Sequence, residues 1–151
     1  MVSWAEFETA APEIAKEGRR LLYARGDAEA LLATVRGDGL PRIHPINVGV
    51  VDDRLYAFLL PSAKRSDLEQ DGRYALHTHQ DPAAPDEFSV RGRAHVVDAG
   101  AIRARVADAW PFEVDDTYLL VELSVEHAVL GLRGADEWPP RYRRWSKTPS
   151  D

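Results

Sequence analysis

The sequence predicts an α+β protein built around an antiparallel β-barrel of about six strands, with a helix before the barrel and short helices inserted into it. Two observations lead to this prediction. Apolar residues recur at helical spacing over residues 4–25, and the period changes to two from residue 30 onward. The predicted strands are joined by short turns such as Gly37-Asp38-Gly39, which can connect antiparallel strands but are too short for the crossovers of a parallel sheet.

Helical segments are predicted at three places. The first covers residues 4–25 and is expected to break near Pro12, because proline removes a backbone donor and disfavours the helical conformation of the residue before it. Ser62 is expected to cap a short helix over residues 64–71 by accepting a hydrogen bond from a first-turn amide. A third helix is predicted over residues 99–110.

Strand segments are recognised by period-two alternation or by β-branched and aromatic content, with glycine, proline or aspartate between them. They are expected at residues 30–36, 42–51, 54–60, 73–79, 87–98 and 117–133. The segment between the fourth and fifth strands is too rich in proline to continue a central strand, so we expect an exposed loop there.

The 151 residues are expected to form one domain, because a chain of this length can bury a core of its own. Its parts are the N-terminal helix over about 4–25, the barrel over about 30–133 and a C-terminal arm over 134–151. The arm is both aromatic and basic. We expect it to pack over a partner protomer or a cofactor, with a frayed tail as the alternative.

Composition and charge exclude several classes of function. The formal net charge is −6, which opposes a surface that wraps nucleic acid. There is no cysteine, so disulfides, thiolate metal sites and cysteine nucleophiles are excluded. The chain has no apolar run long enough to span a membrane. We therefore expect a cytoplasmic protein that binds neither nucleic acid nor a membrane.

Five segments, in the same order, resemble a known family. Residues 32–46, LATVRGDGLPRIHPI, are similar to the opening hairpin of the pyridoxamine 5′-phosphate oxidase-like, FMN-binding split-barrel family. The other four resemble that family's third strand, phosphate-binding turn, following strand and closing strand, and they are 54–58 (RLYAF), 62–68 (SAKRSDL), 72–77 (GRYALH) and 88–94 (FSVRGRA). The resemblance covers residues 30–98 well and the remainder only in general layout.

The resemblance implies a split β-barrel that forms a homodimer, with two cofactor sites at the subunit interface. It also implies a flavin-dependent oxidoreductase with FMN as its cofactor, or coenzyme F420 as the alternative, acting on a small-molecule substrate. In such an enzyme the cofactor carries the redox chemistry and the protein positions it, so no catalytic side chain is named. The alternative from a different class is a non-catalytic protein that binds flavin or haem on the same scaffold.

The resemblance assigns phosphate binding to Ser62, Lys64 and Arg65. Two cations and the free amides of a first helical turn follow a strand directly here, and that combination binds anions. A solvated helix start is the alternative interpretation. Asp67 departs from the family, in which asparagine is frequent at this position, and an acid repels phosphate unless a cation lies between them. We expect Asp67 either to orient Lys64 or Arg65 or to face solvent.

The second strand is expected to contact the ring of the cofactor. Alternation places Arg42, His44, Ile46 and Val48 on one face of the strand and Asn47 on the other. The resemblance places the isoalloxazine ring against this strand, where backbone groups bond its polar edge and Ile46 or Val48 packs against its plane. His44 is either a cofactor contact or a barrel-rim histidine with satisfied hydrogen bonds.

His77 and His79 share one face of the fourth predicted strand, and two imidazoles placed in this way could bind a divalent metal. This spacing is common in proteins, and the sequence fixes no third ligand. We therefore expect no metal site here, but a strand end that faces solvent or the partner protomer.

Overall fold

The computed structural model describes residues 1–134 and 136–148, which contain four helices and nine strands. The helices are α1 (Trp4–Ala10), α2 (Pro12–Leu22), α3 (Ala63–Gln70) and α4 (Gly100–Asp108). The strands are β1 (Glu29–Val35), β2 (Pro41–Asn47), β3 (Gly49–Val51), β4 (Arg54–Leu59), β5 (Arg73–Thr78), β6 (Glu87–Val96), β7 (Leu119–Leu123), β8 (His127–Leu132) and β9 (Arg141–Ser146). The paired strands are antiparallel and curl into a half-barrel, which confirms the predicted α+β split-barrel class.

The predicted N-terminal helix divides into α1 and α2 at the expected place. α1 begins after Ser3, whose hydroxyl accepts from the Glu6 amide while the Glu6 carboxylate accepts from the Ser3 amide. Pro12 is the first residue of α2, where an N–H would have no helical partner anyway. Trp4 and Phe7 are fully buried against the sheet. No helix in the described part of the chain is long and apolar enough to cross a membrane.

Two groups of strands share the long strand β6. One runs in the order β2-β1-β5-β6-β8-β9, and the other runs β6-β7-β4-β3. β2 and β3 are the strands farthest from β6 in their two groups, and they follow one another in the chain. The two groups therefore come together again opposite β6, and the barrel is split between these two strands. The main core fills the space inside this curl and under the N-terminal helices, with Leu32, Leu76 and Phe88 buried.

The strand expected over residues 42–51 divides at Val48, which corrects that prediction. β2 pairs with β1 as far as Asn47, and β3 pairs with β4 from Gly49 onward. The Val48 amide donates to the Ala28 carbonyl at 3.1 Å, and the Val48 side chain is 2% exposed. Burial of this side chain in the core turns the chain from one group of strands to the other.

The strand expected over residues 117–133 also divides, because the chain bulges at residues 124–126. β7 pairs with the C-terminal part of β6 and β8 with its N-terminal part, and between them three residues face two on β6. The Ser124 hydroxyl accepts from the Arg93 amide at 2.9 Å, and the Ser124 carbonyl accepts from the Tyr74 hydroxyl at 2.7 Å. These hydrogen bonds fix the bulge.

The C-terminal arm contributes a further strand to its own chain. β9 pairs with β8 along its length, so the alternative of a frayed tail is wrong for these residues. The Trp145 ring packs against Phe7 with 5.2 Å between ring centroids, and this contact joins the arm to α1. Residue 135 and residues 149–151 of the predicted arm lie outside the described residues. The two divided strands and this added strand account for nine strands in place of about six.

Gly92→Ala is expected to destabilise the protein, because a Cβ at Gly92 would lie 2.0 Å from the Ser124 backbone oxygen. Overpacking of this kind costs about 1–3 kcal/mol, so the midpoint of urea unfolding should fall. Gly100→Ala is the matched control, since its Cβ would meet nothing within 4 Å and it begins α4. Its midpoint should stay level or rise slightly. Equal midpoints for Gly92→Ala and the parent protein would contradict the role given to the bulge.

Candidate functional site

The β1–β2 hairpin brings Thr34 opposite Arg42, because its two strands pair symmetrically about Asp38. Thr34 is buried and Arg42 is half-buried. α3 contacts β1, and it adds a carboxylate from its second turn to this pair. Three separate elements therefore meet at one end of the hairpin.

Asp67 supplies that carboxylate and is 5% exposed. Its Oδ2 atom accepts from Thr34 Oγ1 at 2.7 Å and from Arg42 Nε at 2.8 Å. Burial acts to raise the pKa of Asp67, but the hydrogen bonds from Arg42 and Thr34 outweigh it and hold that pKa below its ordinary value. Asp67 is thus a buried carboxylate that holds Arg42. This corrects the expectation that it orients Lys64 or Arg65 or faces solvent.

His44 lies two residues beyond Arg42 on the same face of β2. Its Nε2 atom is buried and has no hydrogen-bond partner within residues 1–134 and 136–148, unlike a rim histidine with satisfied hydrogen bonds. Burial lowers the pKa of His44, and the positive charges of Lys64 and Arg42 lower it further. The imidazole is therefore neutral at neutral pH. It keeps one ring nitrogen for a partner that the described residues do not supply.

Lys64 lies in the first turn of α3, close enough to His44 for its charge to lower the pKa of that imidazole. The side chain is half-buried, and it forms no ion pair with any residue that the structure describes. Lys64 and Arg42 thus place two cations beside a neutral imidazole. An anion could be bound here by charge-assisted hydrogen bonds.

Ser62 and Arg65, the other two residues assigned to phosphate, make contacts within the chain. Arg65 Nε donates to the Glu69 carboxylate at 2.8 Å, and Arg65 Nη1 donates to the Thr117 carbonyl at 3.0 Å. The Ser62 hydroxyl accepts from the Arg65 amide at 3.3 Å and donates to the Leu60 carbonyl at 2.9 Å. Ser62 therefore caps α3, as predicted, and the Arg65 side chain ties α3 to the loop before β7.

The remaining predicted site residues lie at the other end of β2. Ile46 and Asn47 line a pocket of about 280 Å³ together with His79. Val48 lies in the core, so of the two side chains expected to pack against a ring, only Ile46 has accessible surface. Each strand residue advances about 3.3 Å, so Arg42 and Asn47 are roughly 16 Å apart along the strand. A ligand that contacts both ends must be extended.

The outer edge of β2 carries backbone groups that pair with no other strand in the described part of the chain. The Val48 amide donates toward β1, so alternation directs the odd-numbered backbone groups of β2 to the free edge. Two of these residues, Pro41 and Pro45, have no N–H. Prolines protect an edge from pairing with another strand. They leave the Ile43 and Asn47 amides as the edge donors of β2.

The outer face of the sheet formed by β2, β1, β5, β6 and β8 is not buried in this chain. Its side chains alternate with the core residues and are partly or fully exposed, and the most exposed large apolar one is Ile43 at 66%. The face is mostly apolar on β2 and β1 and basic on β6, and it includes Leu31, Ala33, Ile43, Pro45, Ala75, His77, Arg91, Arg93 and Val129. We call it the outer face.

Sequence reasoning missed two features of this site. Thr34 could have been found, since pairing the hairpin about Asp38 places it opposite Arg42. The contact of Asp67 has no local signal, because this residue is 25 positions from Arg42 and 33 from Thr34. Only the position of α3 over the hairpin shows it.

Among known proteins, only solved structures are similar to this chain. No family model matches the chain, and neither does any curated protein. A protein related to general stress protein 26, of the pyridoxinephosphate oxidase family, from Clostridium acetobutylicum superposes with a TM-score of 0.65 and 13% identity. The match covers 87% of this chain and 92% of that one.

Two further solved structures are similar. A heme binding protein from Mycobacterium smegmatis superposes with a TM-score of 0.66 and 17% identity, and the match covers 86% of this chain but 57% of that one. General Stress Protein 26 from Bacillus anthracis superposes with a TM-score of 0.61 and 19% identity over 86% of this chain and 98% of that one. Identities this low support a shared fold and nothing finer. This chain therefore has the split β-barrel fold of these proteins.

Proposed function

We propose that this protein is a flavin-dependent oxidoreductase that binds FMN or, alternatively, the deazaflavin coenzyme F420, as a homodimer. The observation that carries the proposal is the group of Lys64, Arg42 and His44 at one end of an edge strand with free backbone donors. When bound, the cofactor supplies redox chemistry, and the protein supplies its position and electrostatic environment.

The phosphate end fits the residues present. Lys64 would hold the phosphate through its ammonium group, and Arg42 through the terminal guanidinium nitrogens that its Nε contact with Asp67 leaves free. The orphaned Nε2 atom of His44 fits a partner brought by the ligand. Arg65 and Ser62 support this end indirectly, because their contacts hold the first turn of α3 in place.

The ring end fits the edge of β2. The amides of Ile43 and Asn47 face outward and can donate to the polar edge of a flavin ring. Ile46 can pack against the ring plane from the pocket that it lines with Asn47. A flavin nucleotide is extended, with its phosphate and its ring at opposite ends, which suits the distance between the two groups of residues.

The outer face supports a homodimer. An apolar sheet face left open in one chain is a common mark of an interface, and a second copy offers the same surface for a two-fold contact. This face borders the free edge of β2, so the partner would lie beside the ring and complete its pocket. A single chain then holds only part of each site.

Lys64→Ala is expected to weaken binding of FMN or F420 about ten- to hundredfold, because a charge-assisted hydrogen bond contributes about 1.5–3 kcal/mol. Fluorescence titration measures the dissociation constants. Lys16→Ala is the matched control, since Lys16 is exposed on α2 and far along the chain from the site. Riboflavin has the ring but no phosphate, so its weaker binding should not respond to Lys64→Ala. An equal loss of affinity for FMN and for riboflavin would mean that the phosphate binds elsewhere.

The parent protein should scatter light as a dimer, with twice the mass of the 16.9 kDa chain. Ile43→Asp should convert it to a monomer that still folds, because it puts a charge on the most exposed apolar side chain of the outer face. Ile102→Asp is the control, since Ile102 is also exposed, at 38%, but lies on α4. A parent monomer that binds flavin tightly would overturn the proposed assembly.

A second candidate function is haem binding, and one observation favours it. His77 Nδ1 donates to the Thr78 carbonyl at 2.6 Å, which leaves Nε2 as the free ring nitrogen on the outer face. Metal-binding histidines commonly have their other nitrogen held in this way. Arg91 and Arg93 on the same face could pair with carboxylates of a haem. One structural neighbour is named as a heme binding protein.

Replacing both His77 and His79 with alanine separates the two candidates. We expect flavin occupancy to be unchanged, because His77 lies outside the phosphate and ring groups, and His79 is assigned no ligand contact although it lines the pocket of Ile46 and Asn47. Absorbance of the purified protein, titrated with FMN and separately with haem, measures both ligands. His127→Ala is the control for a histidine on a neighbouring strand. A Soret band that shifts in the double variant but not in the control would favour haem over flavin.

A further inference from the structure

The charges around the proposed phosphate position nearly cancel. Arg42, Lys64 and Arg65 bring three positive charges, while Asp67 and Glu69 bring two negative ones. Two of the cations are already paired, Arg42 with Asp67 and Arg65 with Glu69. His44 adds no charge at neutral pH, since its pKa is lowered. The group therefore has one net positive charge to offer a ligand.

The negative charge on Asp67 is a fixed part of this balance. The carboxylate is buried, and it accepts hydrogen bonds from two side chains at 2.7 and 2.8 Å. Solvent screens this charge only weakly from a phosphate held by Arg42, because the Asp67 side chain is buried. Any anion at this position is attracted by the two cations and repelled by Asp67.

We infer that this site is selective for a phosphate group with one negative charge, a phosphodiester, over a terminal phosphomonoester with two. This inference rests on the proposed function and refines it. The desolvation cost of an ion rises with the square of its charge, whereas the attraction to the site rises only in proportion to it. A single net positive charge matches a monoanion and leaves the second charge of a monoester without a partner. FMN is a monoester and F420 carries a diester, so the inference favours F420.

Asp67 acts in this scheme as a positioning residue that also sets the charge. By accepting from Arg42 Nε, it fixes the plane of the guanidinium group and leaves the terminal nitrogens as donors for a ligand. Thr34 holds the carboxylate from the opposite strand. Thr34 is uncharged, so it provides a way to disturb the geometry and leave the charge in place.

The test uses three flavins with the same ring and phosphate charges of zero, one and two. They are riboflavin, the 5′-phosphate methyl ester of riboflavin and FMN, titrated by fluorescence at about pH 8, where a phosphomonoester is dianionic. The parent protein is expected to bind the methyl ester about fivefold more tightly than FMN. Tighter binding of FMN than of the ester would overturn the inference and leave the proposed function standing. Failure of all three flavins and of F420 to bind would overturn both.

Asp67→Asn adds a second measurement, because the amide keeps the shape and the acceptor oxygen but removes the charge. FMN affinity should rise by roughly tenfold and that of the ester by about threefold, since the Coulomb gain is proportional to ligand charge. Riboflavin should not change. Thr34→Val, which keeps both charges, should leave the ranking of the ester over FMN as in the parent. If Asp67→Asn shifts FMN and the ester equally, the charge of Asp67 is not the selective element. The parent ranking decides the inference alone if Asp67→Asn does not fold.

Discussion

The contact between Asp67 and Arg42 holds the candidate site together, because it joins α3 to the hairpin that β1 and β2 form. Thr34 comes from β1, Arg42 from β2 and Asp67 from α3. The only other buried residue of α3 is Leu68, so apolar packing alone holds this helix weakly. Removing Arg42 would be costly, because it would leave the buried Asp67 carboxylate without a compensating cation. The position of Lys64 in the first turn of α3 therefore depends on a contact made one turn later.

The edge of β2 depends in turn on how the barrel is split. Val48 is drawn into the core, so among the described strands β2 pairs with β1 alone and its second edge stays open. On the opposite side, the bulge at residues 124–126 allows one run of chain to pair with both parts of β6. Pro41 and Pro45 keep the open edge from pairing as a strand. The fold thus leaves a short row of donors beside the cluster, at a place where an extended ligand could lie.

The sequence was sufficient for the order and type of the elements before the C-terminal arm, because turn residues and periodicity are local signals, but it did not predict β9. It could not show where two strands divide, since Val48 and Ser124 differ from their neighbours only through partners on distant strands. The same limit applies to the site. Lys64 was placed in an anion-binding group from its local position, but the pairing of Arg42 with Asp67 spans 25 residues. Arg65 has one partner four residues away and another 52 residues away, and only the first has a local pattern.

The split-barrel fold alone does not determine whether a protein binds flavin or haem, because proteins with different named functions share this fold at these low identities. The choice lies with side chains on opposite faces of one sheet. Arg42 and His44 occupy the core side of β2 beside α3, whereas His77 lies on the outer face of β5. Because strand side chains alternate, one small ligand cannot use both groups within a single chain. The flavin proposal depends on Lys64, Arg42 and His44, and the haem alternative depends on the free ring nitrogen of His77. Substitutions can therefore remove either group of side chains without disturbing the other.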